Sequence, residues 1–304
     1  MRGILKRVME SVVPRLGIGR LARLLRQPGP VILAYHNIVP DGASIGGVRS
    51  LHLPQQEFAR QLDLLVGTRE VVPLSAILDA PRSPARPRAA ITFDDAYSGA
   101  VTAGVAEVVH RGLPATIFAA PEFIGGRSFW WDELADPQVG DIDEEVRRHA
   151  LSALLGRDPL IREWAESRGL HRHSVPCHSR ATTEEDLRHA VSQAGISLGS
   201  HSWSHANLSR LAPGDLDREL RDPLEWLRQR FRSVIPWLAY PYGLASSGVE
   251  RAAAAAGYEV AVLITGAQLP RSRRRLNLHA LPRLNIPASL SLRGYALRTA
   301  GLGA

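Results

Sequence analysis

The stretch Arg88-Ala89-Ala90-Ile91-Thr92-Phe93-Asp94-Asp95-Ala96-Tyr97 runs from a short apolar segment straight into two adjacent carboxylates. Residues 89–93 read as a buried strand entered from a Pro/Arg-rich loop at 80–88. In a regular strand neighbouring side chains face opposite ways, so the chain must leave the strand at Asp94-Asp95 if both acids serve one site. Two further strand-like segments end in polar clusters. Residues 196–200 lead into His201-Ser202-Trp203-Ser204-His205, and residues 237–239 into Tyr240-Pro241-Tyr242-Gly243.

Outward from these three points the text alternates. Residues 31–35, 115–120 and 260–265 read as strands, and 55–66, 99–111, 213–232 and 247–257 as helices. In the first of these helices Phe58, Leu62 and Leu65 share the inward face. Thr182 with Glu185 forms a capping-box pattern that opens another helix, running to about residue 194. Repeated strand-helix-strand units require parallel strands joined by crossovers, hence a doubly wound sheet or a barrel. Either architecture puts its chemistry at the C-terminal strand ends. Residues 127–180 break the rhythm with helical text at 144–155 and 160–167, and read as an insertion.

Composition narrows the function. The 304 residues are 45% hydrophobic and 22% charged, enough to bury a sizeable core. The single cysteine, Cys177, excludes an internal disulfide and any four-cysteine zinc module. Net charge is +7, but residues 1–26 hold seven of the 37 bases and only one acid, Glu10. The other 278 residues carry 30 bases and 29 acids, so the body is nearly neutral and nucleic acid is not the expected partner. Residues 1–28 are expected to form a basic amphipathic helix ahead of a main domain spanning 29–304. Its bases and its apolar face suit peripheral contact with an anionic membrane, through residues 1–26. With no apolar run long enough to span a bilayer and no secretory signal pattern, the expected location is the cytoplasm or the inner membrane face.

The polar clusters carry the chemistry. Histidines at i and i+4, as in His201 and His205, present two imidazoles to one side of a turn, and one carboxylate completes a three-ligand metal set. A second carboxylate that stays off the metal can act as base toward a nucleophilic water. Asp95 and Asp94 fit that division of labour.

Here the residues resemble the polysaccharide deacetylases, the NodB-homology carbohydrate esterases of family 4. Thr92–Asp95 is similar to their Thr-Phe-Asp-Asp-Gly motif, and residues 201–205 to their His-Ser/Thr-x-x-His motif. Residues 239–243 resemble the third motif of the branch containing the poly-N-acetylglucosamine deacetylases. Ala34-Tyr35-His36-Asn37-Ile38 and Leu281-Pro282-Arg283 resemble the Tyr-His and Leu-Pro-Arg motifs of that branch. The resemblance implies an incomplete (β/α)7 barrel. It implies that Asp95, His201 and His205 hold a divalent metal, zinc being the expected ion, and that Asp94 is the general base. It further implies His36 as general acid, the Tyr242 backbone N–H as an oxyanion donor and Arg283 as the partner that keeps Asp94 ionised. The implied reaction is removal of N-acetyl groups from a glycan or a lipid-linked amino sugar. Trp130, Trp131, Tyr240 and Pro241 are the candidate substrate contacts, the tryptophans because aromatic faces stack on sugar rings. One departure stands out: Ala96 replaces the family glycine, and a positive φ there costs of order 1 kcal/mol.

Alternative readings change the substrate to another small or cyclic amide, or reduce the barrel to a non-catalytic glycan binder. A non-haem iron oxygenase would also use two histidines and a carboxylate, but the tandem aspartates disfavour it. His171, His173, Cys177 and His178 read as a solvated loop. His52, His110, His149 and His189 lack visible partners, and His279 is a reserve candidate for the acid.

Overall fold

A computed structural model describes residues 29–79, 86–270 and 276–302. The expected helix at 1–28 lies outside these residues. Among the described residues ten strands occur in chain order: β1 Val31–Tyr35, β2 Asn37–Val39, β3 His52–Pro54, β4 Glu70–Val71 and β5 Arg88–Phe93, then β6 Ala115–Ala119, β7 Ile196–Ser200, β8 Val234–Ala239, β9 Val260–Ile264 and β10 Leu281–Asn285. Seven of them form a parallel ring in the order β1-β10-β9-β8-β7-β6-β5, closed because β1 also pairs with β5. Short β4 pairs with the start of β5, and β2 with β3 makes a small separate sheet. This is a (β/α)7 barrel, one of the two architectures that the alternation left open and the one that the resemblance implies.

The helices are α1 Gln55–Thr68, α2 Val105–His110, α3 Trp130–Glu133, α4 Glu144–Ser152 and α5 Asp158–Ser167, then α6 Glu184–Ser192, α7 Pro213–Arg230, α8 Ser247–Ala255 and α9 Leu292–Thr299. Phe58, Leu62 and Leu65 of α1 are fully buried in the main core, each contributing roughly 1.5–3 kcal/mol. The capping expectation shifts by one residue. Thr183, not Thr182, caps α6 by accepting from the Asp186 N–H, because Thr182 is buried and its backbone is tied to Ala96 and Gly125. The helix read at 99–111 begins as a π-type segment, Ala100–Gly104, before α2.

Strand parity sorts the barrel. Val31, Leu33, Tyr35, Ala89, Ile91 and Phe93 pack outward against the helices in the main core, while Ile32, Ala90, Phe118, Trp237, Val262 and Leu281 form a second cluster. On the inward parity, Thr92 follows Ala90 and Arg283 follows Leu281, so the strands carry polar groups toward their C-terminal ends. Gly199 is needed there, since a Cβ would lie 2.5 Å from the Phe118 ring and 3.0 Å from the Trp237 carbonyl oxygen. The segment between β6 and β7 folds back onto the barrel mouth: a Cβ on Gly156 would meet the Tyr242 ring at 3.0 Å. No helix of the described residues is long and apolar enough to cross a membrane.

Candidate active site

Asp94 continues the inward parity of β5, and its N–H donates to the Tyr35 carbonyl at the end of β1. Asp95 then adopts φ 66° and Ala96 φ 51°, so the chain swings round and the second carboxylate reaches the same site. Ala96 therefore does occupy the left-handed region in which the family glycine would be unstrained. Its methyl is buried in the main core, which offsets part of that cost. Among the described non-glycine residues six have positive φ, and five of these belong to the three motif segments: Asp95, Ala96, Ser202, His205 and Tyr242. Such strain persists where the surroundings over-determine the backbone, as at functional sites.

Asp94 and Arg283 form a buried bidentate pair, Nη1 to Oδ1 and Nη2 to Oδ2, both 2.7 Å. Arg283 Nη1 also donates to Thr92 Oγ1 at 3.1 Å, and the guanidinium lies 5.4 Å from the Phe118 ring centroid. Burial alone would raise the Asp94 pKa, but Arg283 and His201 outweigh it and hold the carboxyl below its ordinary range. Asp94 is thus an ionised acceptor at neutral pH.

Next to it, Asp95, His201 and His205 bring their donor atoms within 4.8 Å of one another, all buried. Asp95 Oδ1 stands 3.3 Å from His201 Nε2 and 3.2 Å from His205 Nε2. Neither approach is aligned as a hydrogen bond, and Asp95 Oδ1 has no hydrogen-bond partner among the described residues. Ligands about 2.0–2.1 Å from one tetrahedral centre lie roughly 3.3 Å apart, so the spacing and the N, N, O donor set fit a zinc-type cation. Burial would raise Asp95, but the adjoining imidazoles win and keep it strongly acidic. His201 Nδ1 lies 2.7 Å from the Ala239 carbonyl, which can only accept, so this nitrogen carries the proton and Nε2 is free to ligate.

His36 is partly exposed at the end of β1. Burial of its ring lowers its pKa, against the opposing fields of Asp95 and Asp94. An imidazole so depressed gives up a proton readily once it holds one. In the third motif Gly243 and Leu244 N–H groups bond the Tyr240 and Pro241 carbonyls, and Tyr242 has φ 58°. Its ring meets His205 edge-on at 4.5 Å.

The candidate substrate contacts divide. Trp131 packs 4.8 Å from the His205 ring, at the site. Trp130, 2% exposed, and fully buried Tyr240 have no face to offer a sugar. Tyr240 points into the helix layer with Leu220, Leu238 and Val249, and its hydroxyl donates to the His279 carbonyl. Pro241 is buried as well and shapes the turn. His279 lies just before β10, at the opposite barrel end from the carboxylates, with Nε2 against the Tyr258 carbonyl, so it is no substitute for His36.

Two sets of residues escaped the sequence reading. Glu219 of α7 accepts from the Trp203 and Ser204 N–H groups, both 2.9 Å, and from the Ser204 hydroxyl, clamping the loop between His201 and His205. Glu219→Ala is expected to weaken metal binding by about 10-fold or more, read by chelator competition. An unchanged affinity would show that the loop holds its shape without the clamp. His52, thought to lack partners, is fully buried and contacts Asp132 and Asn37, and His178 joins the same group.

A parallel (β/α)7 barrel thus carries an Arg-paired aspartate beside a buried Asp-His-His cluster at its C-terminal strand ends. The polysaccharide deacetylase family profile matches residues 82–261, and the chain belongs to that family. It is 23% identical over 264 residues to the Bacillus subtilis (strain 168) protein YxkH, named a polysaccharide deacetylase, covering 86% of this chain and 72% of that one. Its fold is similar to that of BC0361, a polysaccharide deacetylase from Bacillus cereus, with a TM-score of 0.61, 15% identity, and coverage of 89% and 68% of the two chains. It is also similar to IcaB from Ammonifex degensii, with a TM-score of 0.58, 17% identity, and coverage of 90% and 97%.

Proposed function

We propose that the protein is a metal-dependent N-deacetylase that releases acetate from an N-acetylated glycan or a lipid-linked amino sugar. The observation that carries this reading is the Arg283-paired Asp94 beside the convergent Asp95, His201 and His205 donors. A divalent cation held by those three side chains, zinc by donor type, supplies Lewis-acid polarisation of the acetamide carbonyl and of an adjacent water. Asp94 takes the proton of the attacking water as its oxygen bonds to the carbonyl carbon. The Tyr242 backbone N–H donates to the developing oxyanion, an interaction worth about 3 kcal/mol. His36 delivers a proton to the departing nitrogen, the C–N bond breaks, and acetate and the free amine leave.

Of the aromatic candidates only Trp131 lies against the site, itself 6% exposed beside His205. Residues 1–26 supply the bases and apolar positions for docking on an anionic membrane, which suits a lipid-linked substrate met at the cytoplasmic face. The test is an acetate-release screen over N-acetylglucosamine oligomers and lipid-linked N-acetylated sugars, with and without zinc, alongside small cyclic amides. Acetate from the sugars, lost with chelator, is the expected result. Hydrolysis confined to cyclic amides, or glycan binding without hydrolysis, would overturn it.

A further inference from the structure

The two imidazoles that face Asp95 are held in different ways. His201 is anchored by its hydrogen bond to the Ala239 carbonyl, whereas buried His205 Nδ1 has no hydrogen-bond partner among the described residues. Packing is what confines the His205 ring: Tyr242 at 4.5 Å, His201 at 4.7 Å and Trp131 at 4.8 Å between centroids. Trp131 is itself stacked on Phe129, with centroids 4.6 Å apart. Its in-plane orientation is set by a hydrogen bond, the indole N–H donating to Tyr97 Oη at 2.7 Å.

That bond opens a buried chain of one polarity. Tyr97 Oη donates to Asp132 Oδ2 at 2.7 Å, while Asp132 Oδ1 accepts from the Val48 N–H and from His52 Nε2, both 2.9 Å. His52 Nδ1 faces Asn37 Nδ2 at 2.9 Å, and the same amide nitrogen lies 3.2 Å from His178 Nδ1, whose Nε2 reaches the Ser44 carbonyl at 2.9 Å. The Ser44 carbonyl can only accept, so His178 carries a proton on Nε2, and His52 Nε2 is the nitrogen that faces the Asp132 carboxyl. Among the described residues no lysine or arginine pairs with Asp132, and three donors satisfy it. Toward Tyr97 and Val48 the carboxyl group acts as acceptor. It therefore commits the Tyr97 proton to one direction and leaves the Tyr97 lone pairs to Trp131. Two members of the chain are neighbours of the site in sequence, since Asn37 follows His36 and Tyr97 stands two residues past Asp95.

We infer that Asp132, backed by His52, is a positioning residue for the metal site: acting through Tyr97 and Trp131, it sets the face against which His205 rests. This rests on the metal-site reading above, and its test needs no substrate. Asp132→Asn replaces an acceptor by an N–H that confronts the Tyr97 hydroxyl, and Tyr97→Phe removes the bridge while keeping the ring. Full-length variants are compared with wild type for zinc affinity by chelator competition, for the visible spectrum after cobalt substitution, and for thermal unfolding of the metal-free protein. The expected result is folded variants with zinc affinity about 10- to 100-fold weaker and an altered cobalt spectrum. Wild-type affinity and spectrum in either folded variant would overturn the inference. Failure of both to fold would overturn it too, assigning the chain to stability alone. A wild-type protein that binds zinc but releases no acetate would instead sink the deacetylase reading and leave this one standing.

Discussion

Asp94→Asn is expected to keep its cation and to lose turnover by about 10²- to 10⁴-fold, the range for removing a positioned general base. The substitution is nearly isosteric, and Asp94 is not one of the three convergent donors, so metal content should match wild type. What disappears is the ionised acceptor that Arg283 maintains. Turnover and metal content measured on the same preparations separate the two roles. Turnover within about 10-fold of wild type would remove Asp94 from the chemistry, and loss of the metal would make it a ligand.

Arg283→Met should give the largest stability change. The guanidinium is fully buried and meets Asp94 through two hydrogen bonds, so its removal strands a buried carboxylate. Breaking such a pair costs about 3–5 kcal/mol. The pH dependence carries its own sign. In the wild type the folded-state pKa of Asp94 is lowered, so the pair stabilises above the unfolded-state value, and that contribution is lost as pH falls through the folded one. In the variant, burial acts with Arg283 gone and the carboxyl rises, so the deficit is greatest at neutral pH and shrinks on acidification. Urea unfolding of both proteins at pH 7 and pH 5 reads this. A deficit under 1 kcal/mol at pH 7, or one that grows on acidification, would contradict it.

The ring strands that follow simple patterns were legible: apolar runs at 31–35, 89–93 and 196–200 correspond to β1, β5 and β7 within a residue. Strand β10 shows in the sequence only as the Leu281-Pro282-Arg283 motif. Pro282 interrupts it and Arg283 puts a charge at its centre, and both argue against a buried strand until the barrel interior gives Arg283 its aspartate. The three-residue strands β2 and β3 are too short to show any period. Within the site, tandem acids and the i, i+4 histidines carry their chemistry in their spacing. Glu219 does not, because α7 is rich in Asp, Glu and Arg and nothing local marks one glutamate as a clamp. His52 and Asp132 are 80 positions apart, and meet only once the segment between β6 and β7 folds back across the barrel mouth.

The most direct measurement is the metal content per chain, by mass spectrometry of the elements, of wild type and His201→Ala purified without chelator. One divalent cation per wild-type chain, falling close to none in the variant, is the predicted result. A wild type that takes up no cation when zinc is supplied, or a variant that retains a full equivalent, would contradict the shared site.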